Sequence, residues 1–303
     1  MATSPTRPAL SRESQGILLA LLSAACMGVT YVAGKHVMRR ITPETFVVFW
    51  FTLQAFYALL MLSFRGRRGA LVTRASPWSA LIGIGTTSAV AILLFFHAID
   101  LIDPALVSFY TRADNLFAVL LGVALLQERF SPREGLGIVL ALAGGLVTAY
   151  RGGDLIALGL GLCLLSSLME GLTVILVKVA VRRVGPLVIV FYRSLFAAAM
   201  ALAYGAATGR LQAPPAATLM VIVAASLPGS FLANVTFYAS LARIEVARAT
   251  AIKALQPFFV LLSAYLVLAS LPTARQLLGG AIIVTGILCL LHGRRASPAP
   301  IGV

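Results

Sequence analysis

Apolar runs of twenty or so residues alternate with short polar breaks along almost the whole chain. At about 1.5 Å of rise per residue, a helix of about 20 residues crosses the hydrocarbon core of a bilayer. The runs predict helices near 16–38, 43–64, 77–99, 103–126, 133–150, 154–180, 186–207, 216–241, 245–269 and 274–292. The breaks carry start and stop signals. Arg65-Gly66-Arg67-Arg68-Gly69 ends the second run, and Ser131-Pro132-Arg133-Glu134 opens the fifth with a capping pattern. Gly185-Pro186 opens the seventh, and Pro214-Pro215 precedes the eighth. Pro228 and Pro257 fall inside runs, where a missing N–H bends the helix and frees backbone carbonyls.

Composition names the solvent. The chain has 303 residues, 60% hydrophobic and 11% charged, against about 25% charged in a soluble domain. Its mean hydropathy is +0.97. A bilayer accommodates such a chain, and ten spans leave no room for a sizeable soluble domain. Cys26, Cys163 and Cys289 lie in apolar runs, none at metal-ligand spacing, and read as small buried side chains. The polar stretch from Met1 to Ser14 lacks a separate apolar region with a cleavage site, so the first run reads as an uncleaved span.

The net charge is +14. Most of the arginines sit in short loops, which predicts the anionic membrane surface as partner and excludes nucleic acid. With ten spans, the termini and the even-numbered connections share one side, which carries 13 arginines against 5 on the other. That bias predicts a bacterial cytoplasmic (inner) membrane protein with both termini cytoplasmic.

The chain repeats itself. Arg39-Arg40-Ile41-Thr42-Pro43 matches Arg182-Arg183-Val184-Gly185-Pro186 at an offset of 143, which also pairs Gly28 with Gly171 and Lys35 with Lys178. An offset of 142 pairs Phe117 with Phe259, Arg133 with Arg275, Gly137 with Gly279, Gly144 with Gly286, and Asp103 with Glu245. The predicted organisation is a cytoplasmic tail (1–15), a first five-helix repeat (16–150), a second (151–292) and a cytoplasmic tail (293–303). Five is odd, so the second repeat enters the membrane inverted. The expected fold is an all-α membrane protein of about ten transmembrane helices in two inverted five-helix repeats. Such repeats characterise transporters, with the substrate at mid-membrane between the halves.

At this point the chain resembles the EamA-type family of the drug/metabolite transporter superfamily. The second half reads Leu255-Gln256-Pro257-Phe258-Phe259, Leu261-Leu262, then Gly279 and Gly286. The first reads Asn115-Leu116-Phe117, Leu120-Leu121, Leu125-Leu126-Gln127-Glu128-Arg129, then Gly137 and Gly144. Asn115 replaces a family proline, Ser270 replaces a family glutamate, and Arg193 matches a family arginine whose place Trp50 takes in the first half. The resemblance implies export of small metabolites or amino acids without ATP.

Charged groups at mid-membrane cost about 2.5–3.5 kcal/mol each by insertion scales, so those retained face cavities or partners. At 100° per residue, Ser108, Thr111, Arg112 and Asn115 share one face, and Thr250, Lys253 and Pro257 share another with Gln256 at its margin. Asp114 turns away from Arg112, toward a neighbouring span. Glu170 sits mid-span with Ser166, Ser167 and Thr173 on its face, and its first-half counterpart Met27 has Thr30 and Tyr31 beside it. Lys253, Glu170, Arg112, Asn115, Gln256, Thr111, Asp114 and Tyr31 are therefore the candidate substrate-binding residues. Interhelical hydrogen bonding that only holds the bundle together is the competing reading. Tyr110 and Tyr238 are candidates for stacking. Lys35 and Lys178, near span ends, are expected to snorkel to headgroups, and Arg193 to be structural. No phosphate loop, metal cluster or nucleophile triad argues for an enzyme, a metal or a cofactor. The expected protein is a secondary transporter in lipid, exporting a small molecule by alternating access, with monomer and homodimer both open. The alternative is a flippase-like lipid-handling protein or a non-transporting assembly subunit.

Overall fold

The computed structural model describes residues 11–66, 71, 78–101, 111, 113–127, 132–149 and 157–253, with short stretches between 255 and 289. The helices are α1 (Arg12–Val37), α2 (Pro43–Phe64), α3 (Trp78–Leu101), α4 (Ala113–Leu126), α5 (Pro132–Ala149), α6 (Ala157–Val184) and α7 (Pro186–Ala207). Next come α8 (Ala216–Ser226), a π-helical stretch (Leu227–Leu232) and α9 (Ala233–Leu241), continuous as one span, and then α10 (Val246–Lys253). Strands are absent among the described residues. Six helices there are long and apolar enough to cross a membrane, and Phe117–Leu126 is a shorter apolar helix. Phe64 is 81% exposed, Met220 67% and Leu136 55%. Such apolar surface is stable against lipid.

Local chemistry sets the ends. Ser11 accepts from the Ser14 amide to cap α1, and Thr42 caps α2 through the Thr45 amide. Pro43 and Pro186 occupy first turns, where no amide partner is lost.

Gly16, Ala20, Ala24 and Gly28 recur every four residues and give α1 a face of small side chains. Ala20 and Ala24 are fully buried, and a Cβ on Gly16 would stand 2.6 Å from Ile244. Close approach of this kind substitutes for the hydrophobic driving force that lipid removes.

Tertiary contacts give the helix directions. At one end, the Arg12 guanidinium donates to the Ala242 carbonyl and Lys178 donates to the Ile244 carbonyl. The start of α1, the end of α6 and the end of α9 therefore meet there. At the opposite end, Thr42 donates to the Arg210 carbonyl, the Gln212 amide donates to Thr45, and His97 meets Tyr204 at 3.0 Å. Consequently α1 runs antiparallel to α6, α2 to α7, and α3 to the span 216–241.

The contacts themselves repeat. Ser23 donates to the Ala233 carbonyl at 2.7 Å, and Ser166 to the Ala91 carbonyl at 2.8 Å. Thr30 donates to the Gly229 carbonyl at 2.8 Å, and Thr173 lies 2.7 Å from the Thr87 hydroxyl. Gly28 packs on the Phe259 backbone as Gly171 packs on Phe117. In each case the partners are related by the 142–143 offset of the sequence.

Candidate functional site

The span 216–241 is the irregular element. Pro228 cannot donate its missing N–H, and the Ala233 amide reaches back five residues to the Pro228 carbonyl. Neighbouring helices serve the displaced carbonyls. Thr30 bonds Gly229, Tyr57 bonds Val223 at 2.9 Å, and Gln54 bonds Ser230 at 2.9 Å. Within the span, Asn234 also donates to the Ser230 carbonyl at 2.9 Å. Irregular backbone at membrane depth is tolerated where protein satisfies it or where it lines a cavity. Single π turns concentrate at functional sites.

Beside this stretch lies an ion pair. Arg193 of α7 grips both carboxylate oxygens of Glu170 of α6, at 3.0 and 3.2 Å. Its Nε donates to Ser88 of α3 at 2.8 Å, and its Nη1 donates to the Asn234 side-chain oxygen at 3.1 Å. The guanidinium also lies 5.9 Å from the Phe51 ring centroid. Four helices thus converge on one buried cation, whose side chain is only 8% exposed. The Glu170 side chain stays 25% exposed. The pair is therefore open on its acidic side.

Among the described residues, two buried polar atoms nearby have no partner: the Gln54 side-chain oxygen and the Ser230 hydroxyl. The Gln54 amide nitrogen already serves the Ser230 carbonyl, so the oxygen cannot be exchanged into that bond.

The node is one-sided. At the repeat offset, Met27 stands for Glu170 and Trp50 for Arg193. Trp50 is buried, packed on Phe46 with ring centroids 4.9 Å apart, and closes on Gly229.

The sequence candidates land as follows. Glu170 lies at this node. Lys253 ends α10, whose eight residues are all buried, and its ammonium stands 4.6 Å from the Phe237 ring centroid. Phe237 precedes Tyr238 on the helix that carries Asn234. Gln256 is 1% exposed. Thr111 and Asp114 are half-buried at the start of α4, where the Asp114 amide donates to the Thr111 carbonyl. Arg112, and the side chains of Asn115 and Tyr31, lie outside the described residues. Lys178 departs from expectation. It is 8% exposed and bonds the Ile244 carbonyl, because the chain turning out of α9 packs over it. Ser88, Asn234 and Gln54 belong to the node without having been singled out, and Arg193 joins it as more than scaffold. Pro228 was the available signal.

The EamA-like transporter family matches the chain twice, over residues 14–150 and 157–292. The chain belongs to that family. This EamA-like chain is 27% identical over 235 residues to a protein of Streptantibioticus cattleyicolor named as a probable terminal-alkyne amino-acid exporter. That alignment covers 74% of this chain and 77% of the relative. A solved crystal structure superposes with a TM-score of 0.84 at 19% identity, covering 94% of the EamA-like chain and 100% of the other, which speaks for a shared fold. The EamA-like chain is a multi-pass membrane transporter, with lipid around it and a small molecule as its substrate.

Proposed function

We propose that the chain is a secondary exporter of small amphipathic metabolites of the amino-acid class, working by alternating access around the Glu170–Arg193 node. The observation that carries this reading is the ion pair at the middle of α6, whose glutamate side chain remains 25% exposed. An open carboxylate is available to a substrate ammonium, and the unpartnered Gln54 oxygen is a further acceptor close to Ser230. The substrate carboxylate goes to a cation, Lys253 or Arg193. The S. cattleyicolor relative, named as an amino-acid exporter, supports the class.

The antiparallel pairing of corresponding helices and their repeated contacts support two inverted five-helix repeats, 16–150 and 151–292, making ten spans. The arginine bias supports an inner-membrane location with both termini cytoplasmic. Thr111, Arg112, Asp114, Asn115, Gln256 and Tyr31 complete the proposed cavity wall.

Efflux of labelled amino acids from cells expressing Glu170→Gln tests the reading. Transport per molecule of protein in the membrane should fall at least tenfold. Wild-type export of every recognised substrate by Glu170→Gln would remove Glu170 from the substrate site.

A further inference from the structure

At the end of the bundle where α1 begins and α6 and α9 finish, an open cleft of about 840 Å³ lies away from the Glu170–Arg193 node. Its charged lining is Arg12, Glu13, Lys178, Arg182, Arg243 and Glu245. Cations outnumber carboxylates, and Glu13 is already engaged by Arg248. The cations come from three separate segments that the fold gathers at one helix-end level.

A topology signal alone does not account for this. Orientation needs only arginines free in loops. Here Lys178 is 8% exposed and forms part of the cleft wall. Arg12 and Arg243 each donate to a backbone carbonyl, Ala242 at 3.1 Å and Ala239 at 2.8 Å. A guanidinium has about five N–H donors, so most remain for another acceptor. Arg182 is exposed and makes no polar contact among the described residues. Several forks with spare donors suit an oxyanion carrying several acceptors. The volume falls within the roughly 300–1,000 Å³ of small-ligand sites. The cleft's level, at the ends of membrane-spanning helices, puts it beside the headgroup layer, where basic pockets between helices take anionic headgroups.

We propose that this cleft binds a phosphate-bearing anion: the headgroup of an anionic phospholipid of the adjoining leaflet, or free inorganic phosphate. The proposal is independent of what the transporter carries, because the cleft shares no residue with the node.

Thermal unfolding of the purified full chain in detergent, followed by tryptophan fluorescence, tests it. Short-chain phosphatidylglycerol, short-chain phosphatidylcholine and inorganic phosphate are titrated separately. Arg182→Gln/Arg243→Gln is compared with the wild type and with Arg39→Gln/Arg40→Gln at the opposite end. Stabilisation by phosphatidylglycerol alone, with its half-saturating concentration raised about tenfold only in Arg182→Gln/Arg243→Gln, assigns the site to lipid. The same pattern with inorganic phosphate as well assigns it to the free anion. If the double variant does not yield folded protein, Arg182→Gln alone is used, with a smaller shift in the same direction expected. Equal response to phosphatidylcholine, equal loss in Arg39→Gln/Arg40→Gln, or no response to either phosphate overturns the proposal.

Discussion

Gly28 lies so close to Phe259 that a Cβ at residue 28 would stand 2.8 Å from the Phe259 carbonyl oxygen. Gly171, its counterpart in the second half, would bring a Cβ within 2.9 Å of the Phe117 Cβ. Both contacts join helices from different halves of the chain, so each half holds the other through a glycine.

Gly28→Ala and Gly171→Ala should therefore each destabilise the protein, by about 1–3 kcal/mol of overpacking. Gly34→Ala should behave oppositely. Its added Cβ meets nothing nearer than Met38 Cε at 3.7 Å, and a helical Gly→Ala change gains up to about 1 kcal/mol. Melting midpoints in one detergent compare the three variants. A stable Gly28→Ala protein would mean that the helices separate there at no cost.

Glu170→Gln and Arg193→Met should each lower stability, and the double variant should recover part of the loss. Removing one partner strands the other in a poorly solvated place, whereas removing both strands neither. Because Glu170 is 25% exposed, the expected coupling is modest, about 1–2 kcal/mol. Urea or thermal unfolding of the four proteins measures it. Strict additivity would mean that water, not Arg193, balances Glu170.

Lys253→Met should lower transport while membrane abundance stays near normal, and Lys253→Arg should rescue it only in part. The buried ammonium over Phe237 is a compact charge, and a guanidinium does not reproduce its geometry. Efflux assays with matched expression decide the point. Unchanged transport by Lys253→Met across all recognised substrates would take Lys253 out of the site.

A reporter fused after Val303 should report a cytoplasmic location, as should one fused before Met1. The expectation rests on the 13-to-5 arginine bias and an even number of spans. A periplasmic C-terminus would overturn the ten-span arrangement.

Much of this was readable from the chain alone, for local reasons. The expected runs 43–64, 186–207 and 216–241 match α2, α7 and the continuous helix from α8 to α9, because proline and capping residues mark their starts. The repeat was legible because Gly28 and Gly171 must stay small to pack as they do. The partner of Glu170 was not legible. Twenty-three positions separate it from Arg193, on different helices, and no helical periodicity aligns residues across a bundle. Ser88, Gln54 and Asn234 were hidden for a different reason. Each is an ordinary polar side chain whose role depends on a carbonyl or cation brought up by the fold. Lys178 misled because distance from a span end says nothing about which neighbouring chain covers it.

The π-helical stretch Leu227–Leu232 acts as a phase setting. Every residue after it points about 100° away from where an uninterrupted α-helix would aim it. Asn234 reaches Arg193, and Ser23 finds the Ala233 carbonyl, because the wider turn comes first. Closing this stretch to α geometry with every residue kept would turn α9 as a whole, carrying Asn234, Phe237 and Tyr238 off their partners together while α8 kept its place. Losing one residue along with the wide turn would cancel that rotation and leave α9 aimed where it is.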